Sequence, residues 1–159
     1  MGKPTVSMLG NNEQADETYT PKDSVKHLLP FINKKLTWYE ATSGKSTAIV
    51  DSLTDLGVSI FGSNGRDFFE CTSFDVFDGI ITNPPYSKKD KFIEHAYNLG
   101  KPFAFLLPVA AFQGKARGKL FKKYGISALV YNSRVDFTGK KSPPFGVAWF
   151  MGNGFSDTI

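Results

Sequence analysis

Six short apolar runs recur along a chain of 159 residues: LTWYE, VSIFG, DGIIT, FAFLLP, ISALVYN and GVAWFMG, beginning at Leu36, Val58, Asp78, Phe103, Ile126 and Gly146. Each is rich in β-branched or aromatic residues, as strands covered on both faces are. Helical segments alternate with them at 21–32, with Thr20 as cap and Pro21 in the first turn, and at 46–57, 88–99 and 114–124. Strands and helices in this alternation bury their apolar faces together as a doubly wound α/β layer. The last two runs have no long helical stretch between them, so the pattern predicts an antiparallel hairpin at one edge, with 132–145 as its connection.

Composition narrows the function. One domain fits the length, and the reading divides the chain into a flexible polar arm (1–17), the folded domain (18–154) and a short tail (155–159). Cys71 stands alone, which excludes a disulfide framework and a multi-cysteine metal centre. Neither His27 nor His95 sits in a metal-ligand spacing, so no metal is expected. No apolar run reaches membrane-span length and the polar start lacks a signal-peptide core, so a cytoplasmic location and no membrane partner are expected. The net charge of +4 is modest, but the basic residues gather late, from Lys88 to Lys141, which favours a polyanionic partner. Taken singly, each lysine reads better as part of a solvated helix face.

WYEATSGKST, residues 38–47, has the Gly-Lys-Ser of a phosphate loop. That loop needs a glycine five positions before Gly44, where its backbone curls around phosphate. Tyr39 stands there instead. A magnesium-dependent nucleotide hydrolase built on Gly44, Lys45 and Ser46 is therefore the weaker reading, and the stretch is a strand followed by a turn.

The chemistry-bearing element is Asn83-Pro84-Pro85-Tyr86, directly after DGIIT. In an open parallel sheet the carboxyl ends of the strands face the ligand crevice. Two prolines fix their own dihedrals and push each preceding residue into extended geometry, so the oxygens here form a stiff array of acceptors. An amide oxygen with a neighbouring carbonyl accepts both hydrogens of a planar amino group, while a tyrosine ring stacks on its heterocycle. Drawing on both hydrogens localises the nitrogen lone pair toward an electrophile, and a sulfonium methyl is the obvious one.

On these residues the chain resembles the amino-methyltransferases that use S-adenosylmethionine, above all adenine-specific DNA methyltransferases and their short phage-encoded relatives. The matching elements are Tyr19-Thr20-Pro21, Glu40 with Gly44, Asp67-Phe68, and Asn83 to Tyr86, within roughly 17–152. Ala41 and Ser46 stand where that family usually has proline and a second glycine, and Ser63-Asn64 where it has an acidic residue. The resemblance implies a Rossmann-like α/β fold with a mixed seven-stranded sheet, helices on both faces and a C-terminal antiparallel hairpin. It implies S-adenosylmethionine as cofactor, held by Tyr19, Thr20, Glu40, Thr42, Gly44, Asn64, Asp67 and Phe68. Glu40 would meet the donor's ammonium, Thr20 its carboxylate region, Asn64 its ribose, Asp67 its adenine amine and Phe68 its adenine face. Catalysis would fall to Asn83, Pro84, Pro85 and Tyr86.

The acceptor implied is the exocyclic amine of adenine in nucleic acid, DNA before RNA, with the enzyme a monomer or homodimer. An extruded base would stack between Tyr86 and Phe145, and Lys115, Arg117, Arg134, Lys140 and Lys141 would hold phosphates. RNA bases, a protein glutamine amide, or a binding module that has lost catalysis are the rivals.

Overall fold

The computed structural model describes residues 22–44, 46–131 and 146–158, and there the six apolar runs become the six strands of one sheet. In chain order they are β1 (Thr37–Glu40), β2 (Ser59–Gly62), β3 (Gly79–Thr82), β4 (Phe103–Pro108), β5 (Ser127–Val130) and β6 (Val147–Gly152). The sheet order is β2-β1-β3-β4-β6-β5. The first four strands are parallel, and β6 lies antiparallel to both β4 and β5. The edge hairpin is thus present, with β6 placed inside and β5 outermost.

Helices α1 (Lys22–Lys26), α2 (Ala48–Asp55), α3 (Lys89–Leu99) and α4 (Lys115–Tyr124) complete a Rossmann-like α/β layer. Among the described residues six strands are seen where the resemblance implied seven. The long stretch between β2 and β3, 63–78, forms a 3-10 turn at Phe68–Glu70 and otherwise irregular chain with no strand. A further parallel strand would need a crossover of about a dozen residues on each side of it. The first helix also stops at Lys26 instead of running to 32, because Pro30 has no N–H to continue it; Leu29–Phe31 form a 3-10 turn.

Side chains alternate across the strands, so the sheet has two cores. Tyr39, Ile80, Phe103, Phe105, Leu107 and Phe150 pack beneath α3 and α4. Trp38, Ile81, Leu106, Trp149 and Met151 pack on the opposite face beneath α1 and α2. The Trp149 indole donates to the Ser24 carbonyl (3.0 Å) and the Tyr131 hydroxyl (2.8 Å), which ties α1 to the hairpin edge. Residues 155–158, read as tail, form a 3-10 turn whose Phe155 is buried against Trp38 at 5.0 Å between rings. An aromatic ring is worth more buried than exposed, so this segment closes the core.

Gly79 opens β3 under the Trp38 ring, where a β-carbon would come within 2.3 Å of the indole. Neither backbone nor indole has room to retreat in a packed core. Gly79→Ala should lower unfolding free energy by about 1–3 kcal/mol, the usual range for overpacking, read as a reduced urea midpoint with unchanged slope.

Candidate functional site

β1 connects to β2 on one side while β3 returns on the other, so the strand order reverses between β1 and β3. Ligands of open α/β sheets bind outside the carboxyl ends of the strands at such a reversal. Here those ends are Glu40 and Thr82, and they touch.

Glu40 is only 3% exposed, and Thr82 is fully buried. Oε1 of Glu40 accepts from the Thr42 N–H at 2.8 Å, from the Thr42 hydroxyl at 3.0 Å, and from the Thr82 hydroxyl. All of these bonds fall on one oxygen. No cation among the described residues pairs with the carboxyl, and burial pushes its pKa above the ordinary 4.5 against the opposing pull of the two threonines.

The network continues to the prolyl corner. The Thr42 hydroxyl lies 2.7 Å from that of Thr82 and donates to the Asn83 carbonyl at 3.2 Å. The Pro85 carbonyl accepts from Lys88 N at 3.0 Å, and the Tyr86 carbonyl from Lys89 Nζ at 3.3 Å. Among the described residues the Pro84 carbonyl accepts nothing. The stiff array expected from sequence is therefore sorted: three carbonyls hold the fold, and the buried Pro84, beside the half-buried Asn83, keeps a carbonyl with no donor among the described residues. Tyr86 is 3% exposed, so a base reaches its ring only if neighbouring side chains shift.

The turn after β1 interlocks with the turn after β2. Ser43 Oγ accepts from Ser63 N at 2.5 Å and from Asn64 N at 3.4 Å. Gly62 makes this possible, since a β-carbon there would lie 2.1 Å from Ser43 Oγ. Asn64 is exposed in the left-handed region (φ 52°), which asparagine tolerates, and Gly44 is exposed across from Gly65.

Other expected site residues are placed differently from their assigned roles. Asp67 is exposed and caps the 3-10 turn, accepting from Phe69 N at 2.9 Å. Phe68 lies in the core, stacked on Phe92 at 4.8 Å. The ring at the surface is its neighbour Phe69. Arg117 is not available to phosphate: its guanidinium donates to the Ala111 carbonyl (2.7 Å), the Gln113 carbonyl (2.6 Å) and Asp90 (2.5 Å). It fastens the loop after β4 to α3. Lys115 is exposed. Tyr19, Thr20, Lys45, Arg134, Lys140, Lys141 and Phe145 lie outside the described residues. Sequence reasoning missed Thr82 and Ser43. The available signal for Thr82 was a hydroxyl closing a strand otherwise apolar throughout.

Among the described residues no group of histidine, cysteine and carboxylate side chains could hold a metal, and no helix is long and apolar enough to cross a membrane. Because folding raises the Glu40 pKa, the protonated form is the one the fold favours. Its penalty is absent below the ordinary carboxyl range, where folded and unfolded chains are both protonated, and grows as pH rises through the raised value. Glu40→Gln keeps an acceptor at the same place without the charge. In urea titrations its stability should match wild type near pH 4 and exceed it at pH 8; a wild type more stable than the variant at pH 8 would mean a hidden counter-charge.

No family model matches the chain, and no curated protein matches it. Among solved structures it is similar to a tRNA methyltransferase from Aquifex aeolicus, with 16% identity, 84% of this chain and 68% of that one covered, and a TM-score of 0.48. It is also similar to a SAM-dependent O-methyltransferase from Thermotoga maritima, with 15% identity, coverage of 88% and 69%, and a TM-score of 0.46. Likeness at this level concerns the course of the chain and bears on neither substrate nor residue roles.

Proposed function

We propose that the protein is an S-adenosylmethionine-dependent methyltransferase that modifies the exocyclic amine of adenine in nucleic acid, with DNA as the preferred substrate. The observation that carries this reading is the juxtaposition at the β1–β3 reversal: a buried carboxyl that no cation among the described residues pairs with, one threonine away from a prolyl corner whose Pro84 carbonyl accepts no hydrogen bond from those residues.

A ligand bearing an ammonium group fits the Glu40 end. A desolvated carboxyl is stabilised when a cation arrives, more strongly than at the surface. The turn of Thr42, Ser43 and Gly44 lies beside it; in this reading Asn64 bonds a ribose hydroxyl, and the exposed Phe69 ring, rather than the buried Phe68, packs on adenine. When bound, the donor supplies an electrophilic methyl on a sulfonium.

The chain's own residues do the rest by position. The Asn83 side-chain oxygen and the Pro84 carbonyl accept the two amine hydrogens and turn the nitrogen lone pair toward the donor site. After transfer the nitrogen carries an extra proton, which leaves to water along those same oxygens. The Thr42 hydroxyl has one proton and three oxygens within 3.2 Å, those of Glu40, Thr82 and Asn83. The charge on Glu40 biases which oxygen receives it, so donor and acceptor ends share one hydrogen-bond network. Tyr86 stacks on the base once the side chains over it move aside, with extrusion costing a few kcal/mol that stacking offsets.

A binding module that has lost catalysis is the second reading, favoured by the burial of Tyr86 and the commitment of Phe68 to the core. Incubation with tritiated donor and a panel of duplex DNA, single-stranded DNA, tRNA and glutamine-rich protein separates the two. Label should enter adenine, most in DNA, and fall about a hundredfold or more in Asn83→Ala, as when an aligned hydrogen-bonding group is removed from an active site. Thr82→Val should lower the rate, and Thr82→Ser restore most of it. Label entering equally in wild type and Asn83→Ala contradicts the assignment of the corner, and no label in any acceptor favours the binding module.

A further inference from the structure

Helix α4 has two unlike faces. Arg117, Leu120, Phe121 and Tyr124 turn inward: Arg117 into the loop after β4, Leu120 and Phe121 against the core, and Tyr124 onto Tyr97 at 4.9 Å. At 3.6 residues per turn, Lys115, Lys119, Lys122 and Lys123 fall on the opposite side within an arc of about 100°. All four are exposed, and among the described residues none makes an ion pair. The helix itself carries no acid, and Asp90 of the neighbouring α3 is taken by Arg117 at 2.5 Å.

We propose that this lysine row is a track for the phosphate backbone of duplex DNA, leading up to the prolyl corner. The row begins at Lys115, just after the 3-10 turn Val109–Phe112 that follows β4, on the sheet edge where β3 delivers Asn83. From there it descends about 10 Å along the helix to Lys122. Exposed Lys88 and Lys91 at the start of α3 extend the same edge. Four like charges in a row repel one another, and among the described residues no acid forms an ion pair with them, which favours a polyanion over a solvated face balanced by salt bridges.

A duplex, rather than a single strand, suits the geometry. Single strands are gripped by rings on which bases stack. The outer face of α4 presents lysines with Ala116 and Gly118 and no ring; the half-exposed Tyr124 at its end stacks one face on Tyr97 and lies under Lys123 Nζ at 5.0 Å. A straight rigid row matches a rod bearing about one charge per 1.7 Å of axis. The track rests on the methyl-transfer reading for its purpose, but its binding does not depend on catalysis.

The test is fluorescence anisotropy with a labelled duplex, without methyl donor, over a salt series, comparing wild type with the triple variant Lys115→Gln, Lys119→Gln, Lys122→Gln. The slope of log affinity against log salt should fall by about 2 to 3, near 0.9 per lost contact, with similar loss for unrelated sequences. The pair Lys34→Gln, Lys35→Gln, ahead of β1 at the opposite sheet edge, should change neither slope nor affinity. An unchanged slope in the triple variant, an equal loss in the control pair, or tighter wild-type binding to single-stranded RNA or phosphatidylserine vesicles would overturn the track. Full methyl transfer with an unaltered salt slope in the triple variant would overturn it and leave the methyl-transfer reading standing. Duplex binding lost in the triple variant, from a protein that transfers no methyl group, would do the reverse.

Discussion

The contact on which the site depends is the one between the carboxyl ends of β1 and β3. Glu40 and Thr82 are neighbours because the strand order reverses between their strands, and both are sealed from water. A buried carboxyl is tolerated when hydrogen bonds satisfy it or when it ionises only on receiving a partner. Among the described residues the bonds come from Thr42 and Thr82, and they converge on Oε1. The same Thr42 hydroxyl reaches the Asn83 carbonyl, so the acidic turn and the prolyl corner are mechanically one unit. That hydroxyl lies within hydrogen-bond distance of both the Glu40 carboxyl and the Asn83 carbonyl.

Around that unit the loops are fixed by commitments made elsewhere. Ser43 occupies the space that Gly62 leaves empty and latches the turns after β1 and β2 together. Arg117 binds the loop after β4 to α3, which removes one cation from the surface and leaves the lysines of α4 facing outward alone. Charge at the surface and order at the crevice thus follow from how one helix divides its faces.

The alternation of strands and helices was readable from the sequence because apolar runs buried on both faces leave a continuous signature, as FAFLLP does in β4. The prolyl corner was readable as well, since proline dihedrals do not depend on tertiary context. Register and neighbours were not. Whether Phe68 or Phe69 faces a ligand depends on which ring α3 covers, and nothing local distinguishes the two. Arg117 looked like a phosphate ligand because a basic helix gives no sign of which residue turns inward. Thr82 was hidden by its own strand: a threonine in a β run reads as β propensity, and its partner Glu40 lies forty-two residues away.

Calorimetric titration with S-adenosylmethionine in buffers of different ionisation enthalpy tests the central claim most directly, because it counts the protons exchanged when the site fills. If Glu40 is held partly protonated by burial and ionises against the donor's ammonium, binding releases protons near the raised carboxyl range, tightens as pH rises through it, and loses both features in Glu40→Gln. Donor binding with no proton exchange at any pH between 4 and 8, equally strong in wild type and Glu40→Gln, would show that the carboxyl serves the fold alone.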